Sequence, residues 1–403
     1  MKQLAPEERA LAEGSDQTTM LAQTERWSAI NSGTGNLSGL GRQAEALAEA
    51  FSALPGELEL RQPTPVTAVD AGGREVERAH GQHLVLSVRP AAGRRFLLTG
   101  HMDTVYPADH PFQSSTWRDA DTLNAPGAAD MKGGLTVLLH ALLAFETTDA
   151  ARSVGYDVLI NSDEETGSLS SAGLIAELAR GKAAALTYEP SALPDGTLAH
   201  ARGGSGNYSA VVTGRSAHAG RNPQDGRNAI VAAAVLALEL KALEHKGLTV
   251  NPAMIEGGSA NNVVPDHAVL RFNIRPKTSE AAQAFEHALG ALLRSVSDDQ
   301  DVTIQLHGGI SRPPKPVDNR TQNLFDLVAE TSAALGRPLG WQSSGGVCDG
   351  NNIAACGVPV VDTMGVRGGA IHSPDEYLIV SSLAERAALS ALVLHRLATG
   401  ALA

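Results

Sequence analysis

RFLLTGHMDTVYP, residues 95–107, is an apolar run that ends on a histidine and an aspartate two positions apart. Side chains at i and i+2 leave a strand by the same face. His101 and Asp103 are therefore expected to project together where the strand meets its loop. An imidazole held by a carboxylate is a common arrangement around a bound metal ion. A surface His–Asp hydrogen bond is the plain alternative, and the rest of the chain has to decide.

Around this stretch the chain alternates. Helical spacing covers 36–54, a strand is expected at 94–99, a helix at 131–146, a strand at 156–161, a helix at 170–180 and a strand at 183–188. Such alternation predicts an α/β layer with a largely parallel central sheet. From about residue 205 the rhythm becomes β-α-β-β-α-β: strand NYSAVVTG, helix 226–245, strands 249–256 and 266–275, helix 278–296, strand 302–307. That is the order of a ferredoxin-like unit. The clustered prolines of SRPPKPVDN exclude helix and central strand and read as a linker. Helices at 321–335 and 350–356, a strand at 358–363 and a helix near 380–398 then resume the first pattern. One domain is thus expected inside another: residues 1–200 with 310–403 form a discontinuous α/β domain, and 201–309 the insert.

Bulk composition narrows the partners. The 403 residues carry a formal net charge of −12 with no single acidic block, which argues against nucleic acid or an anionic membrane surface. Bound cations would offset some of that charge. Cys348 and Cys356 are the only cysteines, too few for a disulfide framework, and both are expected to be small core residues. The start MKQLAPEERALAEG lacks the apolar segment of a secretory signal, and no run approaches a membrane span of roughly 18 apolar residues. The chain reads as cytoplasmic, with a polar and frayed first twenty residues.

Four further stretches carry chemistry. NAPGAADMKGG places Asp130 at a turn before a helix, and NSDEETGS ends a strand with Asp163, Glu164 and Glu165. TYEPS ends another with Glu189, and GAIHSPDEY delivers His372 in a loop before the last helix. Ligands of open α/β sheets bind at the carboxyl ends of the strands. Singly, an acidic triplet is a solvated turn and a loop histidine is polar surface. Two histidines and three or more carboxylates on one edge would repel without a cation, and they suit two zinc ions sharing a carboxylate.

With GHMDTV, GAADMKGG, DEETGS, YEPS, GRSAHAG, GGSANNVVPDHAVLRFNIR and GAIHSPDEY in this order, the sequence resembles the di-zinc aminoacylase and carboxypeptidase family. That family includes glutamate carboxypeptidase, acetylornithine deacetylase and succinyl-diaminopimelate desuccinylase. The bacterial glutamate carboxypeptidase branch looks nearest, on SGTGN, GHMDTVYP and NNVVP. The resemblance implies a di-zinc exopeptidase-type α/β catalytic domain with an inserted ferredoxin-like dimerisation and lid domain. It implies that His101, Asp130 and Glu189 hold one zinc, and Glu165 and His372 the other, with Asp130 bridging. Asp103 would orient His101, and Glu164 would be the general base for the attacking water. His218 would cross from the partner subunit to stabilise the oxyanion, and Asn262, Arg275 and the Gly350 loop would contact substrate. Glutamate-cleaving relatives carry a lysine after the Glu-Pro dipeptide. SALPDGTLAHARGG has none, and Arg202 is its nearest cation.

The expected activity is hydrolysis of the amide bond in an N-acyl- or N-aminoacyl-amino acid with a free α-carboxylate, by a cytoplasmic homodimer with two Zn2+ per chain. Co2+ or Mn2+ accept similar ligands. An N-acyl-amino-acid deacylase of the acetylornithine deacetylase type shares every catalytic residue. A two-metal phosphoesterase would fit the ligands but not the insert with its His218, and a non-catalytic metal-binding protein would not need an intact DEETG.

Overall fold

The computed structural model describes residues 4–401. A six-stranded sheet forms the centre, in the spatial order 57–61, 83–88, 155–161, 95–101, 184–187, 360–361. The last four strands run parallel. The first two join antiparallel, so the sheet is mixed rather than largely parallel. These two antiparallel strands, 57–61 and 83–88, lie in a stretch that carries no helix-strand alternation. The strands Arg95–His101 and Gly155–Asn161 are buried almost throughout, which accounts for their continuous apolar runs.

Helix Gly133–Glu146 packs on this sheet and on the C-terminal helix Ser382–Ala398. The segment Ala128–Glu146 is apolar and long enough to match a membrane span, but 83% of it is buried inside the protein, as befits a core helix. Its start is set by close approach. A Cβ on Gly134 would lie 2.1 Å from the Tyr188 carbonyl oxygen, so only glycine lets the turn bearing Asp130 reach the strand end that precedes Glu189.

Two expectations need correction. Of the first twenty residues, 1–3 lie outside the described residues and the rest are not frayed: Pro6–Glu13 and Gln17–Ser28 are helices, Leu11 and Met20 are buried, and Arg396 reaches Glu8 at 2.8 Å. Their anchor is the C-terminal helix, which local composition cannot reveal. Cys348 is buried and Cys356 exposed, both free, because Cys356 caps the outer end of helix Asp349–Ala355.

The insert folds as expected in element order. Strands Ser205–Thr213, Leu248–Gly257, His267–Pro276 and Thr303–Arg312 form an antiparallel sheet, with helices Ala229–Ala242 and Ser279–Gln300 packed against its core. Its last strand, expected at 302–307, runs on to Arg312, past the insert's expected end at 309, and stops where Pro313 and Pro314 remove ladder donors. A hairpin, Val66–Val69 with Glu75–Arg78, leaves the central layer and meets this sheet. There Arg271 donates to the Val69 carbonyl at 2.9 Å, His307 lies 3.1 Å from Glu75, and Val69, Val211 and Val269 pack together.

Candidate metal centre

His101 is the last residue of its strand, 1% exposed, and its Nε2 lies 3.1 Å from Asp130 Oδ1 and 3.7 Å from Glu189 Oε2. The other oxygen of Asp130, Oδ2, lies 3.2 Å from His372 Nε2, which is also 3.2 Å from Glu165 Oε2. One carboxylate thus faces two imidazoles, each backed by a further glutamate. Glu164 completes a second cluster with His101 and Glu189. His372 sits in a loop where it and Ala370 adopt the left-handed region, φ 63° and 53°. Non-glycine residues hold that conformation only where their surroundings over-determine it.

The charges are mutually dependent. Burial opposes a charge on His101, yet Glu189, Asp103 and Asp130 carry its pKa well above the ordinary imidazole value. Hydrogen bonds to Asp130 and Glu165 push His372 up to about 11. Burial, then the Asp130 charge, raises Glu165 to about 7, and burial raises Glu189 and Glu164 as well. Without a cation, protons have to do the neutralising. Glu189 Oε1 is buried with no hydrogen-bond partner among the described residues. An orphan carboxylate oxygen within a histidine–carboxylate set is the donor chemistry a divalent cation takes. The residues fit such ions.

Asp103 does less for His101 and more for its neighbours than the strand argument suggests. The imidazole Nδ1 lies 3.0 Å from the Asp103 carbonyl oxygen and 3.4 Å from its carboxylate. That carboxylate accepts from the Thr34 hydroxyl at 2.8 Å and from the Glu164 and Glu165 N–H groups at 3.1 and 3.2 Å. It holds the turn that presents both glutamates. Asp163 faces away and accepts from the Ser170 and Ser171 hydroxyls at 2.9 and 2.7 Å, so the acidic triplet divides into one buried anchor and two site residues.

Sequence reasoning missed Arg312. It is 2% exposed, donates to Glu164 Oε1 at 2.8 Å and to Asp349 Oδ1 at 2.6 Å, and comes from the last strand of the insert. It also missed Asp362 and Lys315. Arg202 lines the cavity and is clamped to Asp362 at 2.8 and 3.2 Å, with the fully buried Lys315 ammonium 2.8 Å from the same carboxylate. The cavity beside the cluster holds about 280 Å³ and is walled by Ser191, Arg202, Ser344, Gly346 and Cys348 as well as the acids.

His218, Asn262 and Arg275 lie outside that cavity and are exposed. His218 Nδ1 accepts the Gly220 and Arg221 N–H groups, and Arg275 donates to Asn273 at 2.9 Å. Gly350 is buried in the first turn of its helix. A Cβ there would meet the Asp362 carboxylate at 2.6 Å, which is the structural demand for glycine at this position.

Residues 97–396 match the sequence profile of Peptidase family M20/M25/M40. The chain belongs to the M20 peptidase family. It is a metal-dependent hydrolase of that family's peptidase and deacylase kind. Among its relatives, carboxypeptidase G2 of Pseudomonas sp. (strain RS-16) is 30% identical over 397 residues, spanning 96% of this chain and 91% of that protein. Succinyl-diaminopimelate desuccinylase of Psychrobacter arcticus is 28% identical over 352 residues, 81% and 84% of the two chains. The solved structure of a dinuclear metal-binding M20 peptidase from Bacillus subtilis superimposes with a TM-score of 0.66 at 14% identity, covering 95% of this chain and 98% of that one. The M20 fold therefore carries the histidine–carboxylate cluster at the carboxyl ends of its central strands.

Proposed function

We propose that this M20 peptidase is a two-metal carboxypeptidase that releases an amino acid with a free α-carboxylate from its N-acyl or N-aminoacyl derivative. The observation that carries the reading is Asp130, whose two oxygens lie 3.1 and 3.2 Å from two different histidines. His101 and Glu189 would hold one ion and His372 and Glu165 the other, with Asp130 shared. Zinc suits this donor set, and cobalt or manganese accept it too. A bound ion pair supplies Lewis acidity and makes water a nucleophile near neutral pH. Glu164 then takes the proton of the attacking water and returns one to the leaving amine.

Metal-replete protein is expected to contain two divalent ions per chain by elemental analysis. One ion or fewer per chain would overturn the assignment. Screening alanyl dipeptides against N-acetyl-amino acids separates the carboxypeptidase from the runner-up, a deacylase, which the desuccinylase relatives favour.

Two features bear on substrate. The family resemblance gives the α-carboxylate to Arg275, which is exposed outside this chain's own cavity, and to the backbone around Gly350 in the first turn of its helix. Amidating that carboxylate removes a charge-assisted hydrogen bond of about 1.5–3 kcal/mol, so kcat/KM is expected to fall roughly 10- to 150-fold. Equal cleavage of acid and amide would discard this recognition. Arg202, with Lys315 behind Asp362, leaves a buried cluster of two cations on one carboxylate beside the cavity. That surplus supports the glutamate-carboxypeptidase-like preference for an acidic leaving residue, through a cation other than the relatives' lysine.

The insert supports a homodimer. Leu248–Gly257 is an edge strand of the insert's sheet, and Met254 and Ile255 on it are exposed, as are Val231 and Leu238 on the neighbouring helix. A second copy across a two-fold axis would cover both.

A further inference from the structure

Glu376 belongs to the GAIHSPDEY stretch, yet none of the roles above uses it. Its side chain is buried and its carboxylate accepts four hydrogen bonds. Oε2 accepts from the Tyr106 hydroxyl at 2.8 Å and the Gly127 N–H at 3.1 Å. Oε1 accepts from the Ala129 and Asp130 N–H groups at 2.9 and 3.0 Å. The Tyr106 hydroxyl also reaches the Ser373 carbonyl at 2.8 Å.

The carboxylate's own partners lie on two segments, and Glu376 itself, with the Ser373 carbonyl that the Tyr106 hydroxyl reaches, lies on a third; each segment brings a proposed ligand. Tyr106 follows His101 and Asp103, residues 127–130 end on Asp130, and Ser373 follows His372. One buried carboxylate therefore ties together the strand end, the bridging turn and the strained histidine loop. Every partner is a donor, so only an acceptor-only group satisfies all four. A glutamine of the same shape would turn an NH2 towards two of them.

We propose that Glu376 is a positioning residue for the metal centre, acting through the orientation of Asp130 and His372 rather than by touching either ion. It rests on the two-ion reading. The test measures zinc dissociation constants by chelator competition, and the visible absorption of the Co2+-substituted protein, for wild type, Glu376→Gln and Tyr106→Phe. Glu376→Gln is expected to bind at least one ion 10- to 100-fold more weakly, the usual range when a partner behind a ligand is lost. Its cobalt spectrum should change, and excess zinc should restore turnover to within a few-fold of wild type, since every ligand remains. Tyr106→Phe, which removes one donor and the link to Ser373, should shift the constants in the same direction by less. A purely structural role would instead lower the melting temperature of the metal-free protein and leave the affinities and spectrum of the folded fraction unchanged. That result, or wild-type affinities in Glu376→Gln, overturns the proposal. Should Glu376→Gln not fold, wild-type affinities in Tyr106→Phe overturn it, and weakened ones support it. Wild-type protein that takes up fewer than two ions defeats the two-ion reading and this inference together.

Discussion

Glu164→Gln is expected to keep both metal ions and the fold while losing at least two orders of magnitude in kcat. General-base catalysis contributes about 10²–10⁴, or roughly 2.7–5.4 kcal/mol of barrier. The variant is a clean one for a physical reason. The Glu164 carboxylate accepts from Arg312 at 2.8 Å, and a glutamine oxygen can accept the same hydrogen bond. The backbone N–H of residue 164 keeps its bond to Asp103. Arg312 therefore does not become a bare buried cation, which would itself destabilise the turn. Burial raises the pKa of Glu164 and Arg312 pulls against it, so the carboxyl is poised between two influences that the amide abolishes. Steady-state kinetics on metal-replete protein, with metal content measured on the same sample, checks the result. Near-normal turnover would remove Glu164 from the chemistry and leave Glu165 or Glu189 to explain it.

The sequence made some of this legible and hid the rest for a consistent reason. His101, Glu164, Glu165 and Glu189 follow apolar strands, and strand ends in an α/β layer converge, so periodicity alone brings them to one edge. Asp130 and His372 needed the motif order, because a turn and a loop have no periodicity to read. Arg312 was invisible. Its partners Glu164 and Asp349 lie 148 and 37 residues away, and its own neighbourhood is rich in proline, so no local pattern announces a buried cation. The pairing of Arg202 with Asp362, 160 residues apart, was hidden in the same way. Asp103 shows the limit of the same-face argument. Two-residue spacing predicts where a side chain points, but not that neighbouring backbone N–H groups will occupy its oxygens. In the fold, the alternation of strand and helix was readable, whereas the antiparallel edge at 57–61 and 83–88 was not, because hairpin-like neighbours lack the crossover helix that marks a parallel strand.

Mixing two inactive variants, Glu164→Gln and His218→Ala, under subunit exchange is expected to restore about a quarter of wild-type activity. His218 is exposed, its imidazole faces its own loop at Gly220 and Arg221, and it does not border the cavity of its own chain. In the proposed homodimer each active site takes its metal ligands and Glu164 from one chain and His218 from the other. Loss of an oxyanion donor typically costs 10²–10³ in kcat, so each parent is dead on the scale of the assay. Random pairing makes about half of the dimers mixed, and two-fold symmetry gives each mixed dimer one site with both residues intact and one with neither. Half of the dimers with half of their sites working gives the quarter, provided that the sites act independently. With both residues in cis, every site would carry a lesion whatever the pairing, and nothing would recover. The readout is therefore all-or-none in kind, and it needs only that exchange be verified separately, for example by mass-tagged chains. Absent recovery with exchange verified, His218 works in its own chain's site or outside catalysis. The exposed edge strand Leu248–Gly257 would then be left without the functional reason that a shared site gives it.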